Sequence, residues 1–166
     1  MNKLLIAVFA LASIGTASAQ MKIAVINTQK ALLETEEIKK AQLAMEAKFK
    51  PRQDQMVKLQ KELADIQTQL NSGKLNELGT QELNTEGQRK QRELQRLQQD
   101  LQEDVERERT DIIQRAGTRM QEVVKKLADE KGLDLVVDSA NTVFFKASFE
   151  ITTEATAAYN KTYPAK

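Results

Sequence analysis

The sequence predicts an α+β protein, mainly α, in which a long antiparallel coiled-coil helical hairpin is inserted into a small β-sheet, with a short C-terminal helix. Three observations carry this. From about Thr28 to Lys131 the chain is rich in Gln, Glu, Lys and Arg, with apolar residues at helical spacing and one turn-forming stretch in the middle. Short β-branched stretches flank that block, KIAVIN at 22–27 before it and LDLVVDSANTVFF at 133–145 after it. The block is therefore an insertion between strands that must meet one another.

The first element lies outside the fold. Lys3 precedes an apolar run over 4–14, and Ala17-Ser18-Ala19 has the small-x-small pattern of a signal-peptidase site, so residues 1–19 are expected to be a signal peptide cleaved after Ala19. The run is shorter than the ~20 residues a membrane-spanning helix needs, and a retained short anchor is the weaker alternative. No Cys follows to take a lipid. The chain is thus expected to be secreted. Residues 20–27 and 132–166 are read as a β-rich assembly body, and residues 28–131 as a helical arm with its tip near 71–80.

Within the arm, the first helix is expected from about Thr28 to Leu70. Its stripe, Ile38, Met45, Phe49, Met56, Leu59, Leu63, Ile66 and Leu70, becomes a 3.5-residue repeat when Gln42 and Arg52 fill the gaps, which is the period of a left-handed coiled-coil seam. Pro51 predicts a kink or break near 48–51. Asn71, Ser72, Gly73 and Gly79 mark the tip, Thr80 is the expected cap of the return helix, and Gly132 its stop. Beyond Leu101 the apolar repeat lengthens to eleven residues, through Ile112 and Val123 and in parallel through Val105, Ala116 and Leu127, which implies a straighter helix. Counting back from the turn places Lys48, Lys50 and Arg52 opposite Asp100, Glu103 and Asp104, a charge match that biases register.

The strands close the reading. Three are expected per copy: 22–27, 133–138 and 142–146, the last two joined by a tight turn at Ser139-Ala140-Asn141. Ile23, Val25, Leu135, Val137, Val143 and Phe145 share one face; Ala24, Ile26, Val136 and Phe144 share the other. A final helix is read over Glu150 to about Tyr159, with Thr152 or Thr153 near its start. So small a sheet, apolar on both faces, is near the lower limit of independent stability. Ile23, Val25, Leu135, Val137, Val143 and Phe145 are therefore the candidate oligomer interface, and the sheet an assembly hub projecting its arms. Three copies would supply about nine strands, enough for a small barrel.

Composition narrows the function. The chain has no His, Cys or Trp. The usual proton shuttle and commonest metal ligand are missing, so no cofactor and no metal are expected. Asp134 and Asp138 resemble a carboxylate pair only superficially, because they sit at one strand's end on its outer face, and no Gly-rich phosphate loop exists, so no catalytic residue is assigned and the chain is not read as an enzyme. Of 25 Lys and Arg only Lys3 lies in the leader, which leaves 24 against 24 Asp and Glu and argues against charge-driven nucleic-acid binding.

An N-terminal secretion signal, KIAVIN, a long hairpin, LDLVVDSANTVFF and then EIT opening a last helix resemble the Skp/OmpH family of periplasmic chaperones. The match covers the chain beyond the leader, in order; its specific part is GLDLVVDSANTVFF…EIT. The resemblance implies a homotrimer with a shared β-barrel body, whose arms enclose a cavity for unfolded outer-membrane β-barrel proteins crossing the periplasm. Two departures stand out. The best-known members are strongly basic and this chain is neutral, which leaves at most a weak lipopolysaccharide or membrane-surface contact. DSAN also replaces the family's commoner DANAV-type turn.

Holding without ATP needs many weak, non-directional contacts. Met45, Phe49 and Met56, beside Pro51, together with Lys48, Lys50 and Arg52, are the candidate client-binding residues; Met suits varied partners because it is flexible and polarizable. The competing reading makes the apolar three seam residues and the basic ones solvated or interhelix-paired. The alternative function is a structural or adaptor coiled coil of the periplasm.

Overall fold

The structure, a computed structural model, describes residues 21–165. The expected signal peptide and its cleavage site lie outside the described residues. The chain runs β1 (Ile23–Ile26), α1 (Thr28–Leu33), α2 (Glu36–Asn71), α3 (Glu77–Lys131), β2 (Leu135–Asp138), two short 3₁₀ turns (Ser139–Asn141 and Ala147–Phe149) and α4 (Thr152–Thr162).

β1 pairs with β2 in parallel, Ile23 with Leu135 through Ile26 with Asp138. Everything from α1 to α3 is therefore a crossover inserted between two neighbouring strands, as the flanking β-branched stretches require. β1 meets a further stretch of backbone on its other side, in a bridge between Val25 and Glu150, with Ile151 N–H donating to the Val25 carbonyl at 2.9 Å.

The first helix departs from expectation: it is two helices. Thr35 divides them. Its hydroxyl donates to the Leu32 carbonyl at 2.7 Å, closing α1, and accepts from Ile38 N–H at 3.3 Å, capping α2. A threonine that satisfies both ends at once competes with a continuous helix, and this one is fully buried while doing so.

At Pro51 the expected break is absent, since α2 runs unbroken through it for 36 residues. Phe49 and Leu59, buried on either side of the proline, pin the helix to α3. The return helix starts earlier than expected. Asn76, not Thr80, is its cap, accepting from Gly79 N–H at 2.8 Å, while Gly73 takes the left-handed turn at φ 66°. Gly132 stops α3 as expected, at φ 61°, with Leu133 N–H reaching back to the Ala128 carbonyl. At 1.5 Å per residue α2 is about 54 Å long and α3, with 55 residues, about 82 Å.

The seam is as the period suggests at Ile38, Phe49, Leu59 and Ile66, which are buried; Met45, Met56, Leu63 and Leu70 are half-buried, and the filler positions Gln42 and Arg52 are exposed. In α3 the eleven-residue repeat is reflected in buried Ala116 and Val123 and half-buried Ile112 and Leu127. The root of the hairpin, the sheet and α4 share one core. Ala24 and Ile26 pack on Ala31, Leu32, Ile38, Ala116, Met120, Val123, Ile151, Ala155 and Tyr159, with half-buried Val136 alongside.

The third expected strand is not formed. Thr142 and Lys146 have extended backbone angles, but the stretch between them has no ladder partner among the described residues. Asp138 accepts from Ala140 N–H at 2.8 Å and the Thr142 hydroxyl donates to the Asp138 carbonyl, which turns the chain off β2 before it can double back. Phe144, expected to share a face with Ala24, Ile26 and Val136, is 80% exposed, and Val143 is fully exposed.

Candidate functional site: an arm groove and an open sheet edge

Charge sets the pairing of the two arm helices. Arg52 on α2 meets Asp104 on α3, Lys48 meets Glu108, and Glu37 meets Arg119, so each descent along one helix is matched by an equal ascent along the other. Lys90 and Glu62 hold the tip half at 2.6 Å. Arg52 keeps the Asp104 carboxyl below the ordinary carboxylate range, and Lys90 does the same for Glu62. Of the three basic residues expected opposite the acidic run, Lys48 and Arg52 cross to α3; Lys50 pairs along its own helix with Asp54.

Phe49 sits beneath this ladder. It is 4% exposed, with Lys48 Nζ 5.3 Å and Arg52 Cζ 6.0 Å from its ring centre. In the folded arm it is a seam residue under a cationic cover. Met56 is half-buried one stretch further on.

Between the ladder and the root the two helices leave an apolar groove of about 500 Å³. Leu33, Met45, Phe49, Val105, Ile112 and Ile113 give it apolar walls, and Arg109 and Glu46 mark its rim. Leu33 and Ile113 are 44% and 37% exposed. The groove takes in Met45 and Phe49 from the predicted set and leaves out Met56, Lys48, Lys50 and Arg52. Leu33, Val105, Ile112 and Ile113 were not singled out as client contacts, though the 3.5- and eleven-residue repeats place Val105 and Ile112 on that face.

The second feature is the sheet. Its inner face is covered by the core. Ile23 and Leu135, paired neighbours on the outer face, are 38% and 44% exposed; Val137 and Phe145 are half-buried. Val25, from the same predicted interface set, is 3% exposed within the single chain, because the Glu150–Ile151 backbone lies across it. Val143, Phe144 and Phe149 continue the apolar exposure beyond β2. Phe149 was not anticipated, and in sequence it is one isolated aromatic among polar neighbours.

A two-helix arm of this length, inserted between parallel strands with an apolar outer edge, is a distinctive arrangement. A family model described as outer membrane protein (OmpH-like) matches residues 22–159. The chain belongs to the OmpH-like family. It is 26% identical over 148 residues to the Skp-like protein of Pseudomonas aeruginosa (strain PAO1), a match covering 88% of each chain. A solved structure of a proposed outer membrane chaperone (OmpH-like) from Caulobacter crescentus CB15 superposes with a TM-score of 0.74, covering 89% of each chain at 13% identity, and so shares the fold.

One polar cluster of this OmpH-like chain went unnoticed in the sequence. At the arm root Glu37 accepts from Arg119 at 2.8 Å through both carboxylate oxygens and from the Tyr159 hydroxyl at 2.6 Å, with Arg115 3.6 Å away. Burial pushes the Glu37 carboxyl up, but the Tyr159 hydroxyl and the two guanidinium groups outweigh it and hold it below the ordinary range. Arg119 also stacks over the Tyr163 ring at 4.9 Å. Extending the charge register from Arg52–Asp104 up to the root would have found Glu37 opposite Arg119.

Proposed function

We propose that this chain is an ATP-independent holding chaperone of the periplasm, which binds unfolded outer-membrane β-barrel proteins between helical arms and carries them to an acceptor. One observation supports this most: the apolar stretch 142–146 is exposed at Val143 and Phe144 and has no ladder partner among the described residues, next to the same small sheet that carries the arm. An open apolar edge invites another copy, and a closed ring of copies, with three as the family resemblance suggests, gathers several arms around one space. Ile23, Leu135, Val137, Val143 and Phe145 would meet the neighbouring copy directly, and Val25 would support them from beneath.

The groove then supplies the contacts. Leu33, Met45 and Ile113 offer apolar surface worth about 1.5–3 kcal/mol per fully buried side chain, enough in small numbers to hold a segment and weak enough singly to release it. Phe49 closes one end of the groove, and Met56 extends the apolar seam toward the tip. Lys48, Lys50 and Arg52 would add cationic contacts only by exchanging their present partners. The family relationship supports a chaperone rather than an enzyme.

The test is suppression of light scattering when a urea-unfolded outer-membrane β-barrel protein is diluted into buffer. Suppression at a fixed stoichiometry without ATP is expected. The double variant Met45→Ser with Ile113→Ser should need several-fold more protein for the same effect while keeping its sedimentation mass. A client that aggregates unchanged beside the wild-type chain would overturn the proposal in favour of a structural arm.

A further inference from the structure

The seam of the arm has two unlike flanks. One is charged and paired: Lys48 meets Glu108, and Glu62 and Glu86 both meet Lys90. On the other flank α2 carries Gln53, Val57, Gln60, Ala64 and Gln67, spaced by the same steps of four and three as the seam and all exposed. α3 answers with a row of exposed glutamines at matching steps, Gln88, Gln91, Gln95, Gln98 and Gln102. In a chain that is 30% charged, neither row holds a charge. Apart from Gln67, which donates to Asn71 at 3.1 Å, the side-chain amides of both rows have no hydrogen bond among the described residues.

The two rows meet on one side of the hairpin, where Gln67, Gln88 and Gln91 line the same cleft. This cleft, about 430 Å³, is a second apolar groove, walled by Leu63, Ile66, Leu70 and Leu83. Gly87 also lines it. A Cβ there would already stand 3.4 Å from Ile66 Cγ2, so the missing side chain keeps the groove open. The root groove at Met45 and Phe49 opens on the same flank, because Gln53 lines it. The uncharged rows therefore run from one apolar groove to the other, and Met45 and Ile66 lie about 30 Å apart along α2.

We infer that this flank is a track for one extended polypeptide segment, with apolar side chains seated in the two grooves and the glutamine amides bonded to the backbone between them. A glutamine amide both donates and accepts, so a row of them satisfies the N–H and C=O groups of an unfolded chain whatever its side chains. A helix meets its own backbone needs internally and is read by a continuous apolar stripe, which this flank lacks. An extended chain advances about 3.3 Å per residue, so the grooves suit apolar clusters about ten residues apart. The inference rests on the holding role proposed above and specifies where, and by what chemistry, an unfolded chain is held.

The probe is a fluorescent peptide with two Leu-Val-Leu clusters joined by about ten Ser and Thr residues, its affinity for the full chain read by anisotropy. It should bind about tenfold more tightly than a one-cluster peptide, and the gain should vanish when the linker is cut to about three residues. Gln60→Ala with Gln98→Ala should weaken it about five- to tenfold. Gln55→Ala with Gln69→Ala, exposed glutamines on the charged flank, should leave it unchanged. Alanine raises helix propensity, so both pairs of substitutions keep the arm folded. Between about 50 and about 500 mM salt the affinity should change less than about twofold. Equal losses in the two pairs, a steep fall with salt, or tighter binding of an amphipathic helical peptide would each overturn the track. Suppressed client scattering with both pairs behaving as wild type also overturns the track, and leaves the holding role standing. A wild-type chain that binds the two-cluster peptide as expected yet lets the diluted client aggregate keeps the track and overturns the holding role.

Discussion

Tyr159 shows how one side chain of α4 can tie four other elements. Its ring is fully buried among β1, α1 and α3 residues, packed 5.3 Å from Tyr163, and its hydroxyl donates to Glu37 on α2. Burial, and then the hydrogen bond to the Glu37 carboxylate, push its pKa up from 10.0 to about 12. The folded state therefore holds the phenolic proton more tightly than the unfolded chain does. That contribution is complete below pH 10 and is lost as pH rises from there toward about 12. Urea unfolding across that range should show stability falling with pH, and Tyr159→Phe should make the fall shallower, leaving the part due to Tyr163, whose hydroxyl is also pushed up by its hydrogen bond to Glu122. Near the sheet, Thr152 is buried for a similar reason: its hydroxyl accepts from Asn27 N–H at 2.9 Å, which joins the start of α4 to the end of β1.

Among the elements, α2 is the clearest case of packing overriding local preference. Pro51 removes one backbone donor and crowds the carbonyl of Ala47, yet the helix continues because Phe49 and Leu59 bind it to α3 and because Lys48 and Arg52 pair across the seam. The exposed ion pairs contribute only tenths of a kcal/mol each, so their role is register more than strength. Pro51→Ala restores the donor and removes the crowding. It should stabilise the chain by up to about 3 kcal/mol, seen as a higher urea midpoint at unchanged slope. A midpoint equal to wild type would mean that the helix already bends there at no cost.

For the molecule as a whole, the unequal coverage of the sheet matters most. The inner face lies on a shared core with both helical roots and α4; the outer face and the edge beyond β2 hold exposed Ile23, Leu135, Val143 and Phe144. A monomer would leave this apolar surface in water next to an open strand edge, which is an aggregation hazard unless another chain covers it. Replacing Phe144 with Asp, together with Val143→Asp, should drop the sedimentation mass to that of a single chain and leave the helical circular dichroism nearly unchanged. An unaltered mass would place the interface elsewhere.

The periodicities by themselves determined much of this fold. The coiled-coil seam of α2, the lengthened repeat of α3, the stop at Gly132 and the return of the chain to β1's neighbour all follow from spacing, because helix and strand periods are local properties of the backbone. The charge register was also legible, at Arg52–Asp104 above all, since antiparallel pairing from a short turn leaves little freedom. Three things only the tertiary structure decided. Thr35 splits the first helix because its hydroxyl finds a carbonyl on one side and an amide on the other once the root is packed. Val143–Phe145 has strand composition but no ladder, because a strand needs a partner and the chain turns away at Asp138. The Glu37 cluster draws on residues up to 122 positions apart, from α2, α3 and α4. The arm register puts Glu37 opposite Arg119, but nothing in the sequence brings Tyr159 of α4 to them. Local chemistry fixes what each segment can be; which segments meet, and what is left uncovered when they do, is settled by packing.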